Sequence, residues 1–559
     1  MPYKSRWTID IPDTHLASLL LKSPTAPLSK THKSYLEAAR PETHYLTTHD
    51  LRLWSQRLAA GLRKSGLQTG NRVLLFSGND LFFPVVFLGV IMAGGIFTGA
   101  NPTFVARELA YQLQDSGATY LLCASSSLST GLEAAKQANI PQNRIFAYDN
   151  SIYDGATAPQ KGGCAYWSDL VATEEEGRAF IWDELNTPAL SSRTLALNYS
   201  SGTTGRPKGV EISHKNYVAN MIQYCYTASR HPDHSARLAR ARWLCFLPMY
   251  HAMAQNVFVA AALYHATPVY IMPKFDFVKM LEYTQEYRIT DYILVPPVVV
   301  ALAKHPAVKG YDLSSVESVM SGAAPLGREV CEEVERLWPP GKINIKQGWG
   351  MTEATCSIMG WVPTETSTSA SVGELNANCE AKIMSFDRSE VKERNSRGEL
   401  WVRGPNVMKG YWRNEKATKE TKTDDGWLLT GDIAFVDDDG KFHVVDRMKE
   451  LIKVKGNQVA PAELEALLLE HPAISDAAVI GVVNNNDERP RAYVVLRSGQ
   501  SATANEIAHF LDNKVSAFKR ITGGVVFLDA IPKNPSGKIL RMKLREQAKE
   551  ELKSVTAKL

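Results

Sequence analysis

Short apolar runs and helical patterns alternate along most of this chain, and that rhythm limits the folds open to it. "THDLRLWSQRLAAGLRKSG" places Leu51, Trp54, Leu58 and Leu62 on one helical face, with Thr48 as its cap and Gly66 as its stop. "RVLLF" follows as a buried strand. "TYLLCA", "TLALNYS", "PVYIMP" and "YILVPPVVV" are further apolar runs between helical segments. Such alternation predicts α/β architecture around a mostly parallel sheet. At 559 residues the chain exceeds what one core accommodates, so two or more domains are expected. After about residue 447 the texture changes. "DRMKELIKVKGNQVAP" is rich in Lys and Gly. "PAELEALLLEHP" and "ANEIAHFLDNKV" read as helices, and "AISDAAVIGVV" and "RAYVVLR" as strands. Together they predict a compact α+β module of roughly one hundred residues. The division is a large domain over 1–446 and a small one over 447–559, joined at about 446–449.

The bulk numbers exclude more than they assign. A net charge of +4 is small for this length and points to no polyanionic partner, nucleic acid included. "RLARAR" (237–242) reads as a solvated helix face. Seven scattered cysteines without a C-x-x-C pair suggest a reducing compartment. The N-terminus has no apolar leader core. "LFFPVVFLGVIMAGGIF" (81–97) falls short of a membrane span and contains Pro84 and three glycines, which predicts a buried helix.

Near position 200 the chain reads "LNYSSGTTGRPKGVEISHKN". Glycines let backbone N–H groups approach a ligand closely, and successive N–H groups in a turn make a cradle for anions. Ser200, Ser201, Thr203 and Thr204 add hydroxyls beside Gly202 and Gly205, and Lys208 adds a mobile positive charge. A polyphosphate is the simplest ligand. The spacing is not that of a Walker A loop. Further along, "SGAAPLG" offers Gly322, Ala323 and Ala324, small enough for a flat ring to lie against backbone. "QGWGMTEAT" joins Gln347, Gly348, Trp349, Gly350, Thr352 and Glu353. Trp349 can stack on a base. Glu353 is an oxygen ligand suited to Mg²⁺. Alone, Asp432 in "WLLTGD" would read as a turn residue, Lys538 in "NPSGKILR" as a solvated lysine, and His251 in "PMYHAMAQN" as a core histidine.

These motifs, in this order, resemble the adenylate-forming enzymes, a superfamily that includes acyl-CoA synthetases, 4-coumarate–CoA ligases, firefly luciferase and the adenylation domains of peptide synthetases. The resemblance covers nearly the whole chain. It implies that Ser200 to Gly205 and Lys208 hold the β- and γ-phosphates of ATP, that Thr204 and Glu353 hold Mg²⁺, and that Thr352 meets the α-phosphate. Gly322, Ala323 and Ala324 would border adenine and the acyl group. Asp432, helped by Arg447, would bind the ribose. Lys538 would reach the carboxylate and α-phosphate during adenylation. His251 would help gate the acyl site. The small domain would be mobile, turning about "DRMK" so that Lys449, Lys453, Lys455, Gly456 and Gln458 line a pantetheine path. Lys274 matches a lysine near the phosphates of coenzyme A. Trp349 stands where many members have Tyr. Met253, Val257 and Gly360 differ from the pocket residues of 4-coumarate ligases, which implies a different acyl pocket.

The implied reaction joins an apolar acid (aryl, arylalkyl or fatty) to coenzyme A through acyl-AMP, with ATP, Mg²⁺ and coenzyme A required. No acidic residue stands in "PMYHAMAQN" to pair with an amino-acid ammonium. Alternatives are the loading of a carrier protein in a secondary-metabolite pathway, luciferase-like oxygenation of the adenylate, and nucleotide binding without turnover. The chain's end just after the Lys538 module suggests no fused carrier domain. The final Ala557-Lys558-Leu559 resembles a peroxisomal address, implying an import receptor as partner and the peroxisome ahead of the cytoplasm.

Overall fold

A computed structural model describes residues 2–23, 25–155, 163–200, 206–385, 387–454, 457–484, 487–512, 514–534 and 537–556. Ser201, Gly202, Thr203, Thr204, Gly205, Lys455, Gly456 and the 557–559 tail lie outside them.

The expected parallel sheets are present. Arg72–Phe76, Ile96–Ala100, Ala118–Ala124 and Ile145–Tyr148 run parallel in an eight-stranded sheet. Every residue of Ile96–Ala100 is buried, as expected of a strand covered on both faces. Thr194–Ser200 joins this sheet, and Lys208–Ser213 folds back on it with Lys208 opposite Ser200. A seven-stranded sheet holds Lys346–Gln347, Ser318–Ser321, Asp291–Leu294, Trp243–Cys245, Val269–Ile271 and Lys33–Glu37, all parallel, with Tyr45–Thr47 antiparallel at one edge. A five-stranded antiparallel sheet ends in Leu428–Val436 and Phe442–Arg447.

Three local expectations are corrected. The helix Thr48–Lys64 is capped by Thr47, not Thr48. Thr47 has extended backbone, its hydroxyl accepts from Asp50 N at 3.1 Å, and Thr47 N donates to Asp50 Oδ2 at 3.2 Å, a capping box. The apolar run at 81–97 is a buried helix only over Phe83–Met92. Gly94 then turns at φ 71°, and the strand Ile96–Ala100 begins. "YILVPPVVV" divides into the strand Asp291–Leu294 and the helix Pro296–Lys304, because proline at a helix start loses only an N–H that has no partner there anyway. The "RLARAR" arginines sit mainly on the helix His234–Arg240, which buries no residue. Among the described residues no helix is long and apolar enough to cross a membrane.

The five-stranded sheet runs on to Arg447, and the small unit starts at once beyond it. It comprises the hairpin Ile452–Val454 and Asn457–Val459, the helix Pro461–Leu469, and the antiparallel pair Ile474–Asn484 and Asp487–Leu496, with Val525–Phe527 alongside. Its own apolar core includes Val459, Leu464, Leu468, Ile474, Val479 and Ile507. At the junction Asp446 accepts from Ala462 N at 2.9 Å, at the start of the Pro461–Leu469 helix, and just beyond it Glu450 pairs with Arg545 at 2.5 Å within the small unit.

Candidate active site

A continuous cavity of about 2530 Å³ lies at the carboxyl ends of the parallel strands and extends between the large and small units. Ligands in parallel α/β sheets bind at such strand ends. The volume exceeds the few hundred to a thousand Å³ of an ordinary small-molecule site, leaving room for two reactants and an approach path.

Three segments converge on it. The first is the strand pair flanking the Ser/Thr/Gly loop, in which Ser200 lines the cavity and Lys208 stands opposite it in register. Tyr111 donates to Pro207 O at 2.8 Å and anchors the loop's far side. The Lys208 ammonium lies 4.7 Å from the centre of the Tyr411 ring. Tyr411 in turn donates to Glu353 Oε1 at 2.9 Å. Tyr411 therefore links the phosphate-loop lysine to the candidate metal carboxylate. No motif pointed to it, because "MKGYWRN" looks like any apolar-polar turn.

The second segment is the pair of strand-end loops at 321–327 and 347–353. Gly322, Ala323 and Ala324 line the cavity. Ala323 has φ 74°, a left-handed backbone unusual for a residue with a side chain and frequent at ligand sites. Gln347 braces this loop from behind: Leu326 N donates to its Oε1 at 3.0 Å and its Nε2 donates to Leu326 O at 2.9 Å. Both ends of its amide are thus engaged by protein. Gly348 N donates to Ser321 O at 2.9 Å. At Gly350 a Cβ would collide with the Cys356 carbonyl, so only glycine fits. Thr352 faces the cavity, and Glu353 is buried beside it with its second carboxylate oxygen without a protein partner among the described residues. One carboxylate completed by phosphate oxygens is a usual Mg²⁺ site. No cluster of three or more His, Cys, Asp or Glu side chains able to hold a metal occurs among the described residues. A metal shared with substrate phosphates fits this donor set, and a site built wholly of side chains does not.

The third segment couples the two units. Asp432 and Arg447 are cross-strand partners. Trp349 Nε1 donates to Asp432 Oδ2 at 2.9 Å. Arg447 Nε lies 3.1 Å from Asp432 Oδ1, but off the line of a hydrogen bond, so Oδ1 remains a buried acceptor without a donor. That orphaned oxygen is what a hydroxyl-bearing ligand would satisfy. Burial raises the Asp432 carboxyl, while Arg447 and the Trp349 N–H oppose the shift.

Lys538 enters from the small unit. Its loop is held by Asn534, which accepts from Lys538 N at 2.8 Å. Gly537, at φ 80°, presses on the large unit so closely that a Cβ would stand 3.1 Å from Pro297 Cγ and Cδ. Burial and the nearby Arg447 charge hold the Lys538 ammonium down to about 8, with Asp432 and Glu353 acting in the opposite sense. It has no ion pair of its own among the described residues. His251 is enclosed by protein yet opens on the cavity. Burial and the Lys538 charge push it down to about 4, so it is neutral at ordinary pH.

The other sequence candidates stand apart. Lys449, Lys453 and Gln458 are exposed and do not line the cavity, the last two being paired across the small unit's hairpin. Lys274 is exposed and does not line the cavity.

Comparison with known proteins agrees with this arrangement. The family model "AMP-binding enzyme" matches residues 29–412, and "AMP-binding enzyme C-terminal domain" matches 463–538. A 4-coumarate–CoA ligase of Petroselinum crispum is 40% identical over 509 residues, covering 89% of this chain and 88% of that one. ATP-bound MatB from Rhodopseudomonas palustris is 26% identical with a TM-score of 0.79, covering 95% and 98% of the two chains. An anthranilate CoA ligase, AuaEII, shares the fold with a TM-score of 0.84 at 22% identity, covering 99% of each chain. With both family models matched across the two units that enclose the cavity, the chain belongs to the AMP-binding enzymes.

Proposed function

We propose that this protein is an ATP-dependent acid–CoA ligase that activates a carboxylic acid with an apolar body. The observation that carries the reading is the meeting of Glu353, Asp432, Arg447 and Lys538, from both units, around one cavity. A carboxylate is a poor electrophile, and joining it to AMP supplies a good leaving group. In the first half-reaction the acid's oxygen attacks the α-phosphorus of ATP and pyrophosphate departs. Ser200 to Gly205 and Lys208 hold the β- and γ-phosphates, Thr352 and Lys538 stabilise charge on the α-phosphate, and Asp432 Oδ1 takes the ribose hydroxyls. This is catalysis by positioning and electrostatics. Glu353 and Thr204 would hold Mg²⁺, which neutralises phosphate charge when bound. Neutral His251 borders the acyl entrance.

In the second half-reaction the thiol of coenzyme A attacks acyl-AMP and releases AMP. Lys538 must withdraw first. The small unit turns at 446–449 and brings its outer face, with Lys449, Lys453, Lys455, Gly456 and Gln458, to the site. Delivery to the peroxisome through the Ala557-Lys558-Leu559 tail belongs to the same proposal. Deleting those three residues should leave a tagged chain in the cytoplasm.

The test is AMP release dependent on both ATP and coenzyme A, across cinnamic, phenylacetic, benzoic, medium-chain and long-chain acids, with the product's mass determined. A CoA ester is expected. Acyl-AMP that accumulates without an ester would redirect the reading to a carrier-protein acceptor, and loss of all turnover would refute it.

A further inference from the structure

One short edge segment reaches both the phosphate-loop lysine and the candidate metal carboxylate. Gly410–Tyr411 is the edge strand of the eight-stranded sheet, antiparallel to Lys208–Ser213 with Tyr411 opposite Val210. Side chains alternate along a strand and pair across it, so Lys208, Val210 and Tyr411 share one face of this sheet. Lys208 is thus the diagonal neighbour of Tyr411, and its ammonium lies 4.7 Å from the ring centre. Backbone bonds hold this register on both sides of Tyr411: Trp412 N donates to Gly209 O at 2.8 Å, and Lys409 N donates to Glu211 O at 3.0 Å. The same segment grips the loop that carries Glu353. Met408 N donates to Glu353 O at 2.8 Å, and the Tyr411 hydroxyl donates to Glu353 Oε1 at 2.9 Å.

Both side chains of that bond are buried, Tyr411 at 8% exposure and Glu353 at 6%. Among the described residues, Tyr411 is the one side chain that bonds the Glu353 carboxylate. A single donor on Oε1 fixes the carboxylate's plane and leaves Oε2 as the oxygen to be offered. Lys208 makes no ion pair among the described residues, so the negative face of the ring is what attracts its ammonium there. Tyr411 is itself anchored, because its backbone N–H donates to Thr418 Oγ1 at 2.9 Å, on the helix Glu415–Thr421. A phenylalanine would fill the same space and seat the same cation. The hydroxyl is accounted for by Glu353 alone.

Resting on the ligase reading above, we propose that Tyr411 is a positioning residue for adenylation that acts by two separable routes. Its hydroxyl orients Glu353 so that one oxygen is presented to Mg²⁺ on the nucleotide. Its ring seats the Lys208 ammonium for the β- and γ-phosphates. The first route contributes only when the metal is bound. The second contributes with the metal or without it. Supporting groups of this kind matter because a charged group must be held in place before the reaction begins.

The experiment measures, by calorimetry, the affinity for α,β-methylene-ATP, whose α–β bridge does not break, with Mg²⁺ and with EDTA. Wild type should bind more tightly with Mg²⁺. Tyr411→Phe keeps the ring. It should bind the metal-free analogue as wild type does, while the gain conferred by Mg²⁺ shrinks about tenfold. Tyr411→Leu removes the ring as well and should also weaken metal-free binding, by about fivefold. Tyr411→Met serves in its place if the leucine variant folds poorly. Acid-dependent ATP–pyrophosphate exchange should divide in the same way: about tenfold more Mg²⁺ for half-maximal rate in the phenylalanine variant, with the KM for ATP at saturating metal raised only when the ring is lost. A phenylalanine variant that keeps the whole metal gain overturns the first route, as does a wild type whose affinity ignores Mg²⁺. A ring-less variant that binds the metal-free analogue as tightly as the phenylalanine variant overturns the second. The calorimetry needs no acid. If the variants divide as described but wild type activates no acid in the panel, the ligase reading falls while the two routes of Tyr411 to the bound nucleotide stand.

Discussion

At the scale of single residues, the site depends on who already holds whom. Trp349 is the clearest case. Its indole N–H is committed to Asp432 Oδ2, which fixes the carboxylate and leaves Oδ1 facing inward. Trp349→Phe keeps a ring and removes the donor. A hydrogen bond to a charged group is worth about 1.5–3 kcal/mol, so the KM for ATP should rise by about tenfold or more while kcat changes less. An unchanged KM would show that Asp432 does not need the indole. Lys538 gives a second prediction. It acts as an ammonium, and in the free enzyme it is held down to about 8. For adenylation, kcat/KM should therefore be full below that pH and fall as pH rises through it. Lys538→Arg, which stays charged throughout, should flatten that limb even if it slows the reaction. Docking has the opposite dependence. The docked lysine binds a proton less readily than a free one, so without nucleotide docking is favoured as pH rises from about 8 toward the ordinary lysine range.

At the scale of elements, the site is assembled by loops whose sequences announce themselves to very different degrees. The parallel strands were legible because their apolar runs are short and bounded. The cap at Thr47 was missed by one residue, since two threonines stand side by side and only backbone conformation decides between them. Tyr411 was not legible at all, because it acts through Glu353 and Lys208, far away in sequence, and no local pattern encodes that. Gln347 shows the reverse: it stands in a recognisable motif, yet its amide is spent bracing Leu326. The loop that carries Lys538 is a further case. Gly537→Ala would put a side chain at φ 80° and against Pro297. The expected result is a loss of about a hundredfold in acid-dependent ATP–pyrophosphate exchange, because small misplacements of a charged group are expensive in catalysis. The thermal midpoint should barely move, since the loop lies outside both main cores. Normal exchange would mean that the loop tolerates a different seat.

At the scale of the whole molecule, the small unit carries candidate residues for both half-reactions. The small unit carries Lys538 into the cavity and displays Lys453 and Gln458 elsewhere to solvent. Lys538→Ala should accordingly suppress formation of acyl-AMP by several hundredfold or more, yet leave attack of coenzyme A on supplied acyl-AMP largely intact. The two half-reactions, measured separately, decide this, and equal loss in both would remove Lys538 from its assigned role. The sequence changes texture near 447, but the contact of Gly537 with Pro297 was not legible there, because it pairs residues 240 positions apart. One consequence reaches into timing. The docked Lys538 brings a cation into a place where burial disfavours it and, among the described residues, no carboxylate pairs with it directly. On the proposed reaction ATP would supply the missing negative charge, and pyrophosphate would carry most of it away. The leaving group of the first half-reaction would then serve as the clock: the closed form would persist while it stays, and its departure would free the small unit to turn before a thiol has arrived.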